Sequence, residues 1–271
     1  MATVPIDDAR DVRLGDYRNV PDGDLLRNRG IFVAEGRLVV TRLLTESSLT
    51  ARSVMVTPAA HAALADVLSS RADLPIYVVS QALMRGITGF NMHRGCLAIG
   101  ERPTPTPWPA LVTSLRLPPD ARIVVLERVA NADNVGGVFR NAMAFGAAAV
   151  LVDEDSTDPL YRKAIRTSMG ASLVMPFARV ASVPEVLGEL RRCGLALVAL
   201  TPSSAAMDIR KCAAELAGRR TAIVLGHEGD GLSEKVRVGC DYQARIPMAA
   251  GVDSLNVASA SAVALYELSN V

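Results

Sequence analysis

Three short stretches in the C-terminal half combine glycines with side chains able to bind or polarise a substrate. In "NADNVGGVFRNAMAFG", Asn131 to Gly146, two carboxamides (Asn131 and Asn134) precede the pair Gly136–Gly137, and Arg140 follows. A guanidinium can clamp a phosphate or stabilise developing oxyanion charge, and adjacent glycines admit another backbone at close range. "IVLGHEGDGLS", Ile223 to Ser233, sets Gly226, Gly229 and Gly231 around His227 and Glu228. "IPMAAGVDSLNVASASAVALYEL", Ile246 to Leu268, carries Pro247, Met248 and Gly251, then Ser254, Leu255 and Asn256 at the mouth of an apolar helix. Singly, these residues have simpler explanations. Asn134 can cap a helix beginning near Val135, Ser233 can cap the next, and any one glycine fits a tight turn. Capping accounts for one of Ser254 and Asn256 but not both. Together the three stretches predict a small-molecule pocket with an arginine and a carboxylate beside it. The spacing matches neither G-x-x-x-x-G-K-[ST] nor G-x-G-x-x-G, so the common nucleotide fingerprints are absent.

These turns need elements to hold them. "RIVVLE", "AAAVLVD", "LVMPFA", "LALVAL", "TAIVLG" and "QARIP" are strand candidates. Helices are expected over Val135–Phe145, Pro159–Thr167, Val183–Cys193, Ser233–Val238 and Leu255–Leu268. Near-continuous apolar strands alternating with helices predict a parallel sheet covered on both faces. Each turn then lies at a strand's carboxyl end, where open α/β sheets bind ligands. Upstream, "GIFVAEG", "SVMVT", "LPIYVV" and "GCLAIG" alternate with the helical stretches "RLVVTRLLTES", "PAAHAALADVLSS" and "SQALMRG", a second and smaller α/β unit. Between them "ERPTPTPWPALVTSLRLPPD" alternates prolines, which predicts an extended, semi-rigid linker. The expected organisation is an extension over 1–18, an α/β domain over 19–102, a linker over 103–120 and the main domain over 121–271.

Composition narrows the class. The chain has 271 residues, half of them apolar, and a formal net charge of +1, so bulk charge announces no nucleic-acid partner and only local basic patches can supply one. No apolar run reaches membrane-span length, and residues 1–18 lack the apolar core of a signal peptide; a cytoplasmic protein is expected. Cys96, Cys193, Cys212 and Cys240 are far apart, which predicts free thiols and no metal site.

Taken in order, the three stretches resemble the three motifs of the SpoU (TrmH-like) branch of the SPOUT superfamily. Asn131, Asn134, Gly136 and Arg140 match the first; Leu225 to Ser233 match the second; Ile246 to Glu267 match the third. "YRKAIRTSMGASLVMPFARV" resembles the family's basic helix and following strand, and Phe32–Gly36 resembles an "F-x-x-E-G" segment of the small ribosomal-protein-like domain that many members carry. His227 and Ala250 stand where the family often has a small polar residue and a glycine. The resemblance implies a trefoil-knotted C-terminal domain preceded by an RNA-binding α/β domain, S-adenosylmethionine as cofactor, and methylation of a ribose 2′-hydroxyl in rRNA or tRNA, with rRNA preferred. It implies catalytic roles for Arg140, Asn134, Glu228, Ser254 and Asn256, and cofactor contacts from Thr201, Leu225, Gly226, His227, Ile246, Met248 and Leu255. It implies a homodimer whose sites are completed across the interface. Arg162, Lys163 and Arg166 on one helix, and Arg85, His93, Arg94 and Arg102 late in the first domain, are the candidate RNA contacts. Methylation of a base, or a non-catalytic RNA-binding module on the same fold, are the alternative readings.

Overall fold

A computed structural model describes residues 3–18, 22–89 and 95–269. The chain forms two compact units. One comprises Met1–Thr104 with Pro159–Val174, the other Pro105–Asp158 with Met175–Val271.

The first unit carries β1 (Thr3–Pro5), α1 (Asp22–Asn28), β2 (Ile31–Glu35), α2 (Arg37–Thr45), β3 (Ala51–Val56), α3 (Pro58–Ala63), α4 (Ala65–Ser69), β4 (Ile76–Val78), α5 (Gln81–Thr88) and β5 (Cys96–Glu101). Its mixed sheet runs β1-β4-β3-β5-β2, with β5 antiparallel to both β2 and β3. The first residues are built into this unit. β1 pairs with β4, and Ile6, Leu14 and Tyr17 are buried in one cluster with Ile31, Met55 and Leu97. A three-residue strand is too short to show alternation in the sequence, which is why residues 1–18 read as an extension.

In the second unit α6 (Trp108–Ser114) precedes β6 (Arg122–Leu126), α7 (Ala132–Ala144) and β7 (Ala149–Asp153). After α8 (Arg162–Thr167), which belongs to the first unit, come β8 (Phe177–Val180), α9 (Val183–Arg192), β9 (Ala196–Leu200), β10 (Met207–Asp208), α10 (Ile209–Glu215), β11 (Thr221–Leu225), α11 (Glu234–Gly239), β12 (Tyr242–Arg245) and α12 (Val257–Ser269). The seven strands order as β10-β12-β9-β11-β6-β7-β8, and every pairing is parallel. β6, β7, β9 and β11 are almost wholly buried, as strands covered on both faces must be.

Several local expectations are corrected. The Pro-rich stretch is not extended throughout. Trp108–Ser114 is helical, with a proline in its first turn where the missing N–H costs nothing, and Val112 and Leu117 enter the second unit's core. The strand expected over 173–178 begins only at Phe177; Ala171–Leu173 form a 3-10 turn. Residues 159–174, expected in the main domain, belong with the first unit. There α8 buries Ala164 and Ile165, Arg42 Nη1 donates to the Met169 carbonyl at 2.8 Å, and Gly170 (φ +83°) lies against Val39. All four cysteines are free thiols, and burial pushes Cys96 and Cys240 up to about 12. Among the described residues no helix is long and apolar enough to cross a membrane, and no cluster of three metal-ligating side chains occurs.

Candidate active site

The second unit's sheet brings its polar turns to one edge. The loops after β6, β9, β11 and β12 surround a cavity of about 440 Å³, within the range of small-molecule sites. Leu200, Leu225, Ile246, Met248 and Val257 give apolar walls, while Asn131, Asn134, Glu228 and Asn256 supply a polar rim.

Asn131, not Asn134, caps α7; its Oδ1 accepts from the Asp133 N–H at 2.8 Å. The helix therefore starts three residues earlier than Val135, and Asn134 sits inside its first turn, buried. There its carboxamide links two other turns. Asn134 Nδ2 donates to Glu228 Oε1 at 2.9 Å, and Asn134 Oδ1 accepts from Asn256 Nδ2 at 2.7 Å. Glu228 Oε1 also accepts from the Asn131 N–H at 3.1 Å. Asn256 is itself the cap of α12, its Oδ1 accepting from the Ala258 and Ser259 N–H groups at 2.9 and 3.2 Å. One hydrogen-bonded chain, Glu228–Asn134–Asn256, thus ties together all three glycine-bearing stretches, which lie far apart in sequence.

Burial alone would raise the Glu228 carboxyl. The donors that converge on it, the Asn134 carboxamide and backbone N–H groups of Glu228, Asn131 and Ala130, outweigh burial and hold it below the ordinary carboxylate value. It is a carboxylate at neutral pH. His227 Nδ1 accepts from the Gly229 and Asp230 N–H groups at 3.0 and 3.1 Å, closing the turn, while its backbone bridges to Gly231.

Thr201, Leu225, Gly226, His227, Ile246, Met248, Ser254 and Leu255 all line the cavity. Arg140 does not. It lies on α7, exposed, its side chain with no hydrogen bond or ion pair among the described residues. Asn134 and Glu228 bond to each other and to the neighbouring turns rather than to it. Arg162, Lys163 and Arg166 are on α8 in the first unit; Arg94 and His93 lie outside the described residues. The motifs did not point to Glu127, whose buried carboxylate accepts from the Ser233 N–H (2.8 Å) and Oγ (2.7 Å), or to Arg128. An acidic residue ending a buried strand was the available signal.

Residues 121–266 match the SpoU rRNA Methylase family. The chain belongs to this family. An uncharacterized tRNA/rRNA methyltransferase of Mycobacterium bovis is 38% identical over 265 residues, covering 96% of this chain and 89% of that protein. Among solved structures, an RNA 2′-O ribose methyltransferase superposes with a TM-score of 0.76 at 28% identity, covering 98% of both chains. An rRNA methyltransferase from Sinorhizobium meliloti reaches 0.81 at 24% identity over 98% of this chain and 97% of that one, a likeness of fold. In this chain the parallel-sheet α/β unit brings the matched motif turns to one edge, and the buried Asn134 bond pair joins them.

Proposed function

We propose that this SpoU-family chain methylates a ribose 2′-hydroxyl of RNA, rRNA before tRNA, using S-adenosylmethionine in the cytoplasm. The observation that carries the reading is the Glu228–Asn134–Asn256 chain at the rim of an apolar-walled cavity. The residues fit the cofactor. The walls suit an adenine ring, the Leu225–Gly226 and Ile246–Met248 backbones offer amide and carbonyl groups beside it, and a carboxylate at the rim complements a sulfonium cation. When bound, S-adenosylmethionine supplies an electrophilic methyl group.

The protein's own residues then have two tasks: align the hydroxyl and stabilise it as it loses its proton. Asn134 and Asn256, locked by their mutual bond, position the ribose, and Ser254 at the rim adds a hydroxyl donor. A guanidinium stays protonated at neutral pH. Arg140 is therefore assigned as an electrostatic clamp on the adjacent phosphate and the developing alkoxide, not as a free base. Its exposure on α7 suits a homodimer in which it serves the partner copy's pocket. The apolar side chains exposed on the same unit, Val252, Leu255 and Tyr266, suit coverage by a second copy. In this reading the loop carrying motif three belongs to a trefoil knot, the second unit is the methyltransferase domain, and the first unit binds RNA through Arg162, Lys163, Arg166 and Arg94.

The test is methyl incorporation into purified rRNA and bulk tRNA, with the methyl mapped by nuclease resistance, alongside calorimetric titration with S-adenosylmethionine. Arg140→Ala is expected to keep cofactor affinity and lose turnover by at least about 10²-fold. Near-normal turnover of that variant overturns the assignment.

A further inference from the structure

The second residue after β6 has a conformation its type does not favour. Arg128 has φ +57°, in the left-handed region that glycine enters freely and a residue with a Cβ enters at a cost. The backbone geometry is fixed by Asp153, whose Oδ2 accepts the Arg128 N–H at 2.9 Å. Glycine would satisfy that bond equally well. The side chain has to be explained by something else.

Its guanidinium turns to the cofactor-side loop instead of to solvent. Nη2 donates to the Gly231 carbonyl at 3.3 Å, and Nε is buried without a hydrogen-bond partner among the described residues. Gly231 is the return arm of the loop that starts at Gly226. The two arms are in close contact: a Cβ on Gly226 would run into the backbone of Gly231 and Leu232, and His227 exchanges two backbone bonds with Gly231, each at 3.1 Å. Two residues further along, Ser233 is held by Glu127, the neighbour of Arg128. The end of β6 thus grips the return arm at Gly231 and at Ser233. The outgoing arm, which presents Gly226, His227 and Glu228 to the cavity, inherits that placement.

We propose that Arg128 is a positioning residue for the methyltransferase site: by holding the Gly231 carbonyl it sets the loop that lines the cofactor cavity and presents Glu228. It touches neither cofactor nor substrate; it acts through Gly231. The inference rests on the methyltransferase reading above.

Arg128→Gly separates the two effects of this residue. It removes the guanidinium, keeps the backbone bond to Asp153 and relieves the left-handed strain. The expected result is a melting temperature within about 2 °C of wild type or above it, faster amide exchange at His227–Gly231 in the cofactor-free protein, and S-adenosylmethionine affinity weakened about tenfold. Arg128→Lys, which keeps a cationic donor, is expected to recover part of the affinity. Wild-type exchange and wild-type affinity in Arg128→Gly overturn the inference. So does an affinity loss accompanied by a large fall in melting temperature, which would make the residue merely structural. A wild-type protein that neither binds S-adenosylmethionine nor methylates RNA would instead bring down the methyltransferase reading itself, a result separable from the exchange data.

Discussion

Asn134 shows how much a single carboxamide can organise. Its two polar ends are both used, one on Glu228 and the other on Asn256, so a swap to any side chain with only one kind of polar atom breaks one link. Glu228 makes the same network pH-dependent. Its folded-state carboxyl is held below the ordinary value of 4.5, so the stability it contributes is fully present above that value and is lost as pH falls through the depressed one. Glu228→Gln keeps an acceptor for Asn134 but cannot titrate. Urea melts across acidic pH are expected to show a shallower loss of stability in the variant than in wild type below about pH 4.5. Parallel curves would mean that the carboxylate is not held by these donors.

Element packing explains a glycine that the sequence marked for function. Gly136 and Gly137 both cost helix propensity inside α7, about 1 kcal/mol each against alanine. A Cβ on Gly137 would lie 2.6 Å from the Ala258 Cβ of α12, closer than carbon atoms tolerate. Gly137 is therefore a close-approach residue that lets α12 lie on α7, where Asn141 Nδ2 donates to the Ala258 carbonyl and to Ser261 Oγ at 2.6 and 2.9 Å. Because α12 starts at the Asn256 cap, this packing also sets the third motif turn. Gly137→Leu is expected to destabilise by about 2–3 kcal/mol through overpacking, read as a fall in melting temperature. Gly137→Ala combined with Ala258→Gly, which exchanges the methyl across the interface, is expected to restore most of the stability.

At the scale of the whole molecule, the proposed dimer would bring Arg140 to a pocket that it does not line in its own chain. If it serves a partner copy, two inactive variants should rescue one another. Arg140→Ala supplies an intact cavity, and Thr201→Trp, which fills the cavity wall, supplies an intact arginine. Co-expressed and co-purified, the two are expected to form mixed dimers with one complete site and to regain up to about a quarter of wild-type methyl transfer, the statistical share for random mixing. No regain in mixed dimers would place the arginine's action within its own chain or remove it from the reaction.

The sequence alone determined most of the second unit. Long apolar strands announce a buried parallel sheet because both faces must be covered, and glycine-bearing turns at strand ends announce a ligand edge because only there do several loops meet. It also determined the family, since three ordered motifs are jointly specific where each is not. Tertiary structure decided what single positions do. Asn134 looked like a cap because carboxamides before glycine often are; Asn131 took that role, and burial between two other turns gave Asn134 its bonds. The strands β1 and β10 are too short to leave a periodic trace, and α8 belongs with the first unit because its apolar face is buried there, which local sequence cannot say. Arg128 escaped notice for the same reason: a positive φ and a bond to Gly231 are properties of where the chain has been brought, not of the residues on either side.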